Sequence, residues 1–408
     1  MRSVPLLPPE EARRSILEAT PPLQPIELPL QEAYGCVAAA NVVTEYNIPP
    51  LSTADVDGFA ARSADIVAAT SGAPVRLRIG GWAMAGRPPE VTVGWGEAVR
   101  ISAETPVPAG ADCIVPGESA KVDGEDVLVM EAVKTGTHIS PAGTDLAAGS
   151  VLVPAGRRLA AAELGLLATA GFGSVLAYPK LRVGVISVGD LAEPGRETGF
   201  GQARDASSYL LLGALREVGA VPYRVGIVRD IEMQLHDAVT SNALRADAFV
   251  VSGGEIGSAT AVAEALSALG EIRTYSVALH PGGELGHGVV EGNPFFHLAG
   301  AAAAAFVSFD VFVRPTVLKM MGRQDRGRPE LKATLDTPVS GPSGATLYVP
   351  VHLRFKGGSW HCAPTGPAGE GHLGSFAQAS ALLVVPPGDT EVPKGAEVQV
   401  QVLRSPER

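Results

Sequence analysis

The stretch "LRVGVISVGD" (residues 181–190) is a nearly unbroken apolar run that ends in a glycine and an aspartate. Strands with one wet face alternate apolar and polar residues, so a continuous run predicts a strand covered on both faces. The pattern then repeats with helices between the strands. "SSYLLLGALREVG" (207–219), "EMQLHDAVTSNAL" (232–244) and "TAVAEALSALG" (260–270) read as helices, while "VPYRVGIV" (221–228) and "ADAFVVSGG" (246–254) read as strands. Strands alternating with helical crossovers define a parallel sheet, so residues from about 179 to 323 form a doubly wound α/β domain. Such sheets bind ligands beyond the carboxyl ends of their strands.

The flanks have a different texture. Residues 1 to about 50 hold a helix, "PEEARRSILEA", then "IELPLQEAYGCVAAANVV", which reads as a strand, Gly35 and a second helix. From about 51 to 140 come short alternating runs such as "PVRLRIGG", "GEAVRIS", "DCIVPGE" and "DVLVMEAV", divided by Gly and Pro, which predict a small β domain. "GSVLVPAGRRLAAAELGLLATAGFGSVLAY" returns to helix, and the tail from 324 to 408 ("ATLYVPVHLRF", "SALLVVP", "AEVQVQVLR") reads as a compact β barrel or sandwich.

Composition narrows the functional classes. The net charge is −11 and no stretch concentrates Lys and Arg, so neither a nucleic-acid backbone nor an anionic membrane surface is an expected partner. The first residues put Pro and Glu where a signal peptide needs an apolar core, and no apolar window is long enough for a membrane helix. A cytoplasmic protein without direct membrane insertion is expected. Cys36, Cys113 and Cys362 are odd in number and far apart, which predicts reduced core thiols. His280, His287 and His297 lack ligand spacing and read as strand-end histidines.

Four glycine-bearing loops fall at one edge of the predicted sheet. "ISVGDL" (186–191) closes the first strand, and "VVSGGEIG" (250–257) lets a ligand come close to the backbone. "ALHPGGELGHG" (278–288) and "LAGAAAAAF" (298–306) complete the set. Together they suggest a pocket for a small anionic molecule.

The motif order "ADVDGFAAR" (54–62), "AMAGRPP" (83–89), "RISAETPVPAGADCIV" (100–115), "GTDLAAG" (143–149), "ISVGDL", "VGIVRD" (225–230), "VSGG" (251–254), "HPGG" (280–283) and "FDVFVRPTVLKMMG" (309–322) resembles the MoeA family, whose eukaryotic relative is the E domain of gephyrin. The resemblance runs through almost the whole chain. It implies a homodimer of four-domain subunits: an elongated N-terminal and dimerisation domain (1–50 and 141–178), a small β domain (51–140), a MogA-like doubly wound αβα domain (179–323) and a C-terminal β barrel (324–408). Family enzymes insert molybdate into the dithiolene of adenylylated molybdopterin and release AMP with help from a divalent ion, usually Mg2+. On that likeness Asp57, Asp145, Asp190 and Asp230 match acidic catalytic positions. Ser187, Gly189, Asp205, Ser207, Gly253, Gly254, His280, Pro281, Gly282 and Gly300 match the substrate-binding rim.

Several of these positions depart from the family pattern. A Thr-Gly pair becomes Ala103 and Glu104, a Gly-Asp-Glu becomes Gly189, Asp190 and Leu191, and a downstream Asp becomes Thr260, while Glu255 follows Gly254 directly. The basic Lys-Pro-Gly-Lys-Pro becomes His280, Pro281, Gly282, Gly283 and Glu284. Leu-Pro-Gly-Asn-Pro-Val-Ser becomes Leu298, Ala299, Gly300 and four alanines. Alanine has high helix propensity and offers no side-chain donor, so the rim is expected to turn apolar and the molybdate site to weaken. Three activities follow as expectations: a catalytically impaired insertase using molybdopterin, molybdate and Mg2+; a pterin-binding protein without turnover; or a gephyrin-like scaffold with no cofactor. The scaffold would hold a peptide tail of a receptor, cytoskeletal or cell-division protein in a groove between the third domain and the C-terminal barrel.

Overall fold

The computed structural model describes residues 6–405 apart from 85, 88, 230, 232, 254–257, 342–343, 367–371 and 389–390. The chain divides into two compact units: Met1–Leu28, Gly35–Ala39 and Leu176–Arg408 make one, and Pro29–Tyr34 with Ala40–Val175 the other. No described helix is long and apolar enough to cross a membrane.

The first unit is built around a six-stranded sheet, in the order Val221–Val228, Arg182–Val188, Ala248–Gly253, Asn293–Ala299, Glu284–Val290 and Gly270–Ser276. The first four strands are parallel, as their continuous apolar composition predicts, and Glu284–Val290 runs antiparallel to its two neighbours. The predicted rim loop at 278–288 is therefore half strand: only the turn through Gly283 stays irregular. Its β character was hidden because Gly286 and Gly288 have no strand preference of their own. They are glycines because a Cβ at Gly286 would lie 2.9 Å from that of His297, and one at Gly288 only 1.8 Å from the Glu271 carbonyl oxygen.

Helix Ser207–Glu217 covers one face, burying Leu211, Ala214 and Leu215, while Leu235, Val239 and Val262 pack on the other. The long C-terminal helix of the domain runs as Ala302–Ser308, a π-turn at Phe309–Val313, and Arg314–Met320. Asp310, in the π-turn, is buried and meets Arg328 at 2.7 Å. Beyond it a barrel closes through Thr346–Lys356, Ser359–Pro364, Glu330–Leu335, Glu397–Val402 and Ala381–Val385, the last pairing back onto the first. Leu279–His280 adds a parallel edge to Thr346–Leu347 of that barrel.

The predicted second helix near Gly35 does not form. Val37–Ala38 pairs with Ala177 and Tyr178, and Val42–Val43 pairs with Val151–Val153. The alanines looked helical by propensity, but cross-strand partners far along the chain override so weak a preference. Helix in the 150–178 segment is confined to Ala161–Thr169, with strands Val151–Val153 and Ser174–Tyr178 on either side. The second unit contains the predicted small β domain as a six-stranded sheet that includes Gly58–Ala61, Val75–Ala83 and Glu97–Ile101.

Cys36, Cys113 and Cys362 are buried and form no disulfide among the described residues, and burial pushes the Cys113 thiol up to about 12. His287 is buried on the sheet against Phe296, its Nε2 within 3.0 Å of the Thr20 hydroxyl that ends the first helix. That hydroxyl donates to the Ile16 carbonyl, so Nε2 is the donor to Thr20. Burial, aided by Arg273, lowers His287 from 6.5 to about 4. The folded state resists protonation that the unfolded chain accepts, so stability is complete above pH 6.5 and falls between 6.5 and about 4, by about 3 kcal/mol in all. His287→Gln, which cannot protonate, is expected to remove that component. Urea unfolding at pH 7.5 and 4.5 measures it, and equal pH losses in both proteins would contradict the assignment.

Candidate functional site

Register brings the predicted loops together. Val228 lies beside Val188, Val188 beside Gly253 and Gly253 beside Ala299, one row across four parallel strands at their carboxyl ends. Leu298 faces Leu285, so Glu284 opens its strand at the same end. Gly189, Gly253, Gly300 and the turn His280–Gly283 therefore share one rim. Asp230 and Gly254, both predicted site residues, lie outside the described residues.

A buried carboxylate supports this rim. Asp205 is 1% exposed and accepts from the Ser187 hydroxyl (2.8 Å), the Ser208 amide (3.1 Å), the Ser208 hydroxyl (2.6 Å) and Arg224 (2.7 Å). Burial raises its carboxyl, but Ser208 and Arg224 outweigh that and hold it below the usual range. Arg224 also reaches Glu193 at 2.9 Å. Asp205 and Ser187 thus serve each other inside the protein, where their role is to hold the strand ends. Ser207 acts similarly, donating to the Gly300 carbonyl at 2.9 Å.

Asp190 projects to solvent, 72% exposed, where Gln202 donates to it at 2.8 Å and Arg229 stands 3.6 Å away. Arg229 also donates to the Leu191 carbonyl. It is a rim cation that the sequence reading passed over, although its place one residue beyond a strand marked it.

The most consequential group is Glu284. Its carboxylate accepts the backbone N–H of Ala259 at 2.5 Å, the first residue of helix Ala259–Ala265. Ser258 takes the Ala261 N–H at 3.3 Å. Two amides that an incoming anion could have used are already satisfied, one of them by a negative charge. Next to it, Gly282 and Gly283 adopt φ of 110° and 115°. A Cβ on Gly283 would lie 2.7 Å from the Val277 carbonyl oxygen and one on Gly282 would lie 2.9 Å from the Ser308 hydroxyl. His280 and Pro281 are joined by a cis peptide, and His280 is half-buried. The alanine run starts its helix at Ala302 with no side-chain cap, and Ala303, Ala304 and Ala305 are fully buried. These alanines belong to the core under the rim, whose described side chains still include Asp190, Arg229 and Glu284.

In the second unit, Asp57 and Asp145 are both exposed. Asp57 accepts the Ala103 amide at 2.8 Å. Glu104 has φ of 61°. This left-handed conformation suits glycine and disfavours a residue with a Cβ. Among the described residues no three His, Cys, Asp or Glu side chains gather into a cation site. The described residues do not make up a Mg2+ cage.

A doubly wound domain with its glycine turns in one row, set in a chain that also carries a small β sheet and a closed barrel, defines a class: multidomain proteins with a molybdopterin-binding-type α/β core. Residues 184–319 match a probable molybdopterin binding domain, residues 7–171 the MoeA N-terminal region (domain I and II) and residues 332–403 the MoeA C-terminal region (domain IV). Two Mycobacterium tuberculosis proteins, Molybdopterin molybdenumtransferase 2 and Molybdopterin molybdenumtransferase 1, are each 33% identical; the alignments cover 98% and 99% of this chain and 99% of each relative. The molybdopterin biosynthesis MoeA protein from Pyrococcus horikosii superposes with a TM-score of 0.83 at 28% identity, over 98% of this chain and 100% of its own. The chain belongs to the MoeA family.

Left-handed backbone at a residue with a Cβ costs about 1–2 kcal/mol. Glu104→Gly is therefore expected to raise the melting temperature of its unit by about 2–4 °C, whereas Glu104→Ala, which keeps the Cβ, is not. Scanning calorimetry separates them; equal melting temperatures for the two variants would refute strain at this turn.

Proposed function

We propose that this chain works in molybdenum cofactor assembly as a pterin-side protein of the MoeA type whose own molybdate insertion is slow. The contact between Glu284 and the Ala259 amide carries the reading. The family resemblance puts lysines in this turn, and here a carboxylate holds the helix end that faces the rim. At an effective dielectric near 20, a unit charge about 4 Å from an anion is worth roughly 4 kcal/mol before screening. Exchanging attraction for repulsion therefore suppresses oxyanion binding by orders of magnitude. The pterin itself is a larger, flatter group, and the glycine turns at 189, 253 and 300 leave its approach to the backbone open.

Incubation with adenylylated molybdopterin, molybdate and magnesium is expected to release AMP at least about 100-fold more slowly than the Molybdopterin molybdenumtransferase 2 of Mycobacterium tuberculosis, while calorimetry detects pterin binding. Glu284→Gln keeps the acceptor for Ala259 and drops the charge; combined with His280→Lys it is expected to speed AMP release at least about tenfold. Release at the relative's rate by the unaltered chain would sink the proposal.

A second reading, the peptide scaffold, is favoured by a groove in the first unit. Helix Pro9–Ala19 and helix Arg314–Met320 border a cavity of about 420 Å3 lined by Glu10, Arg13, Arg14, Leu17, Glu18, Lys319 and Arg326. A neighbouring cavity of about 250 Å3 shares Arg13, Leu17 and Arg326 and continues to Tyr348 of the barrel. Four cations against two carboxylates, with Glu10 paired to Arg13, leave the groove net basic around Leu17, which suits an acidic peptide. On this reading Arg14→Glu weakens capture from an acidic peptide library at least about tenfold without changing AMP release. Undiminished capture would count against the groove.

A further inference from the structure

The outer face of the C-terminal barrel carries a second anion-binding arrangement, made from elements that take no part in the rim. Strands Thr346–Lys356 and Ser359–Pro364 pair with Arg354 opposite His361 and His352 opposite Ala363. Val351, Leu353 and Cys362 are buried in the barrel core. Side chains alternate along a strand, so His352, Arg354 and His361 stand on the other face. Helix Leu373–Gln378 and Arg404 lie over this face and enclose a cavity of about 610 Å3.

The groups lining it are prepared for an anion. Arg404 donates to the carbonyls of Ala379 (2.9 Å) and Ala377, which fixes its guanidinium at the end of that helix. Arg354 has no hydrogen-bond or ion-pair partner among the described residues. His361 Nδ1 meets Asp336 Oδ1 at 2.9 Å, and its Nε2 faces the Ser359 hydroxyl at 3.3 Å. Asp336 is the one carboxylate in the described lining, and it is committed to that imidazole. Two guanidiniums therefore line one cavity against a single described carboxylate, in a protein whose net charge is −11.

The shape and the donor set select the ligand. Planar guanidinium forks match the oxygens of a phosphate, and the Thr365 and Gln378 side chains add a polar wall. The volume lies in the range of small-molecule sites and exceeds the needs of a bare inorganic anion. We propose that this cavity binds a phosphate monoester of nucleotide size, with Arg354 and Arg404 on the phosphate and the imidazole of His352 beside it. The proposal does not depend on the rim: it stands or falls without any measurement of AMP release.

The full-length chain is titrated with inorganic phosphate and separately with AMP while the imidazole C–H signals of His352 and His361 are followed by NMR, assigned with His352→Gln and His361→Gln. AMP is expected to shift both signals saturably and at least about tenfold more tightly than inorganic phosphate, and Arg354→Gln, an exposed strand substitution that leaves the circular dichroism unchanged, weakens AMP at least about tenfold. Because AMP can also reach the rim, only shifts at these two histidines count. Equal affinity for AMP and phosphate would reduce the cavity to a free-phosphate site and overturn the monoester assignment. Unmoved histidine signals, or an Arg354→Gln variant that binds AMP as well as the parent, would overturn the site altogether.

Discussion

The Asp205 carboxylate is the point on which the α/β domain depends. It is buried, it is ionised, and it is matched by Arg224 from the neighbouring strand. Removing one member of a buried pair typically costs about 3–5 kcal/mol, because the other is left charged and dry. That penalty ties three things together: strand Arg182–Val188 through Ser187, helix Ser207–Glu217 through Ser208, and strand Val221–Val228 through Arg224. The Ser207 hydroxyl extends the tie to Gly300. Rim geometry thus rests on charge satisfaction beneath it.

Much of this organisation was legible in the residues. The helix Pro9–Ala19 and the strand Val221–Val228 form where periodicity and continuous hydrophobicity put them. Positions governed by remote partners were not legible. Val37–Ala38 becomes strand only because Ala177 and Tyr178 lie beside it, and local propensity contains no trace of that. Strand Glu284–Val290 was masked by two glycines whose reason is close approach to His297 and Glu271.

The same limit applies to the site. The motif order identified the rim loops, since each follows a strand and contains a glycine. It presented Asp205 as a ligand-facing acid, whereas its oxygens are turned inward to Ser187, Ser208 and Arg224. Glu284 appeared only as the place of a missing cation. Its bond to the Ala259 amide joins residues 25 apart and becomes visible only once the register of the antiparallel strand is known. Glu104 is a related case: its φ of 61° is a glycine-like turn conformation that nothing in a glutamate announces.

The changes in the loops are also coupled mechanically. A Cβ added to Gly282 would meet the Ser308 hydroxyl at 2.9 Å and the Ala304 carbonyl oxygen at 3.4 Å. The His280–Gly283 turn therefore packs directly on the helix that the alanine run begins. Small residues on the helix let the turn settle against it, and once settled the turn admits only glycine at 282 and 283. A lysine at 283 would collide with the Val277 carbonyl oxygen, so restoring the basic loop one residue at a time meets backbone and not solvent. The glycines of this turn and the small residues of the helix are thus two sides of one packing solution.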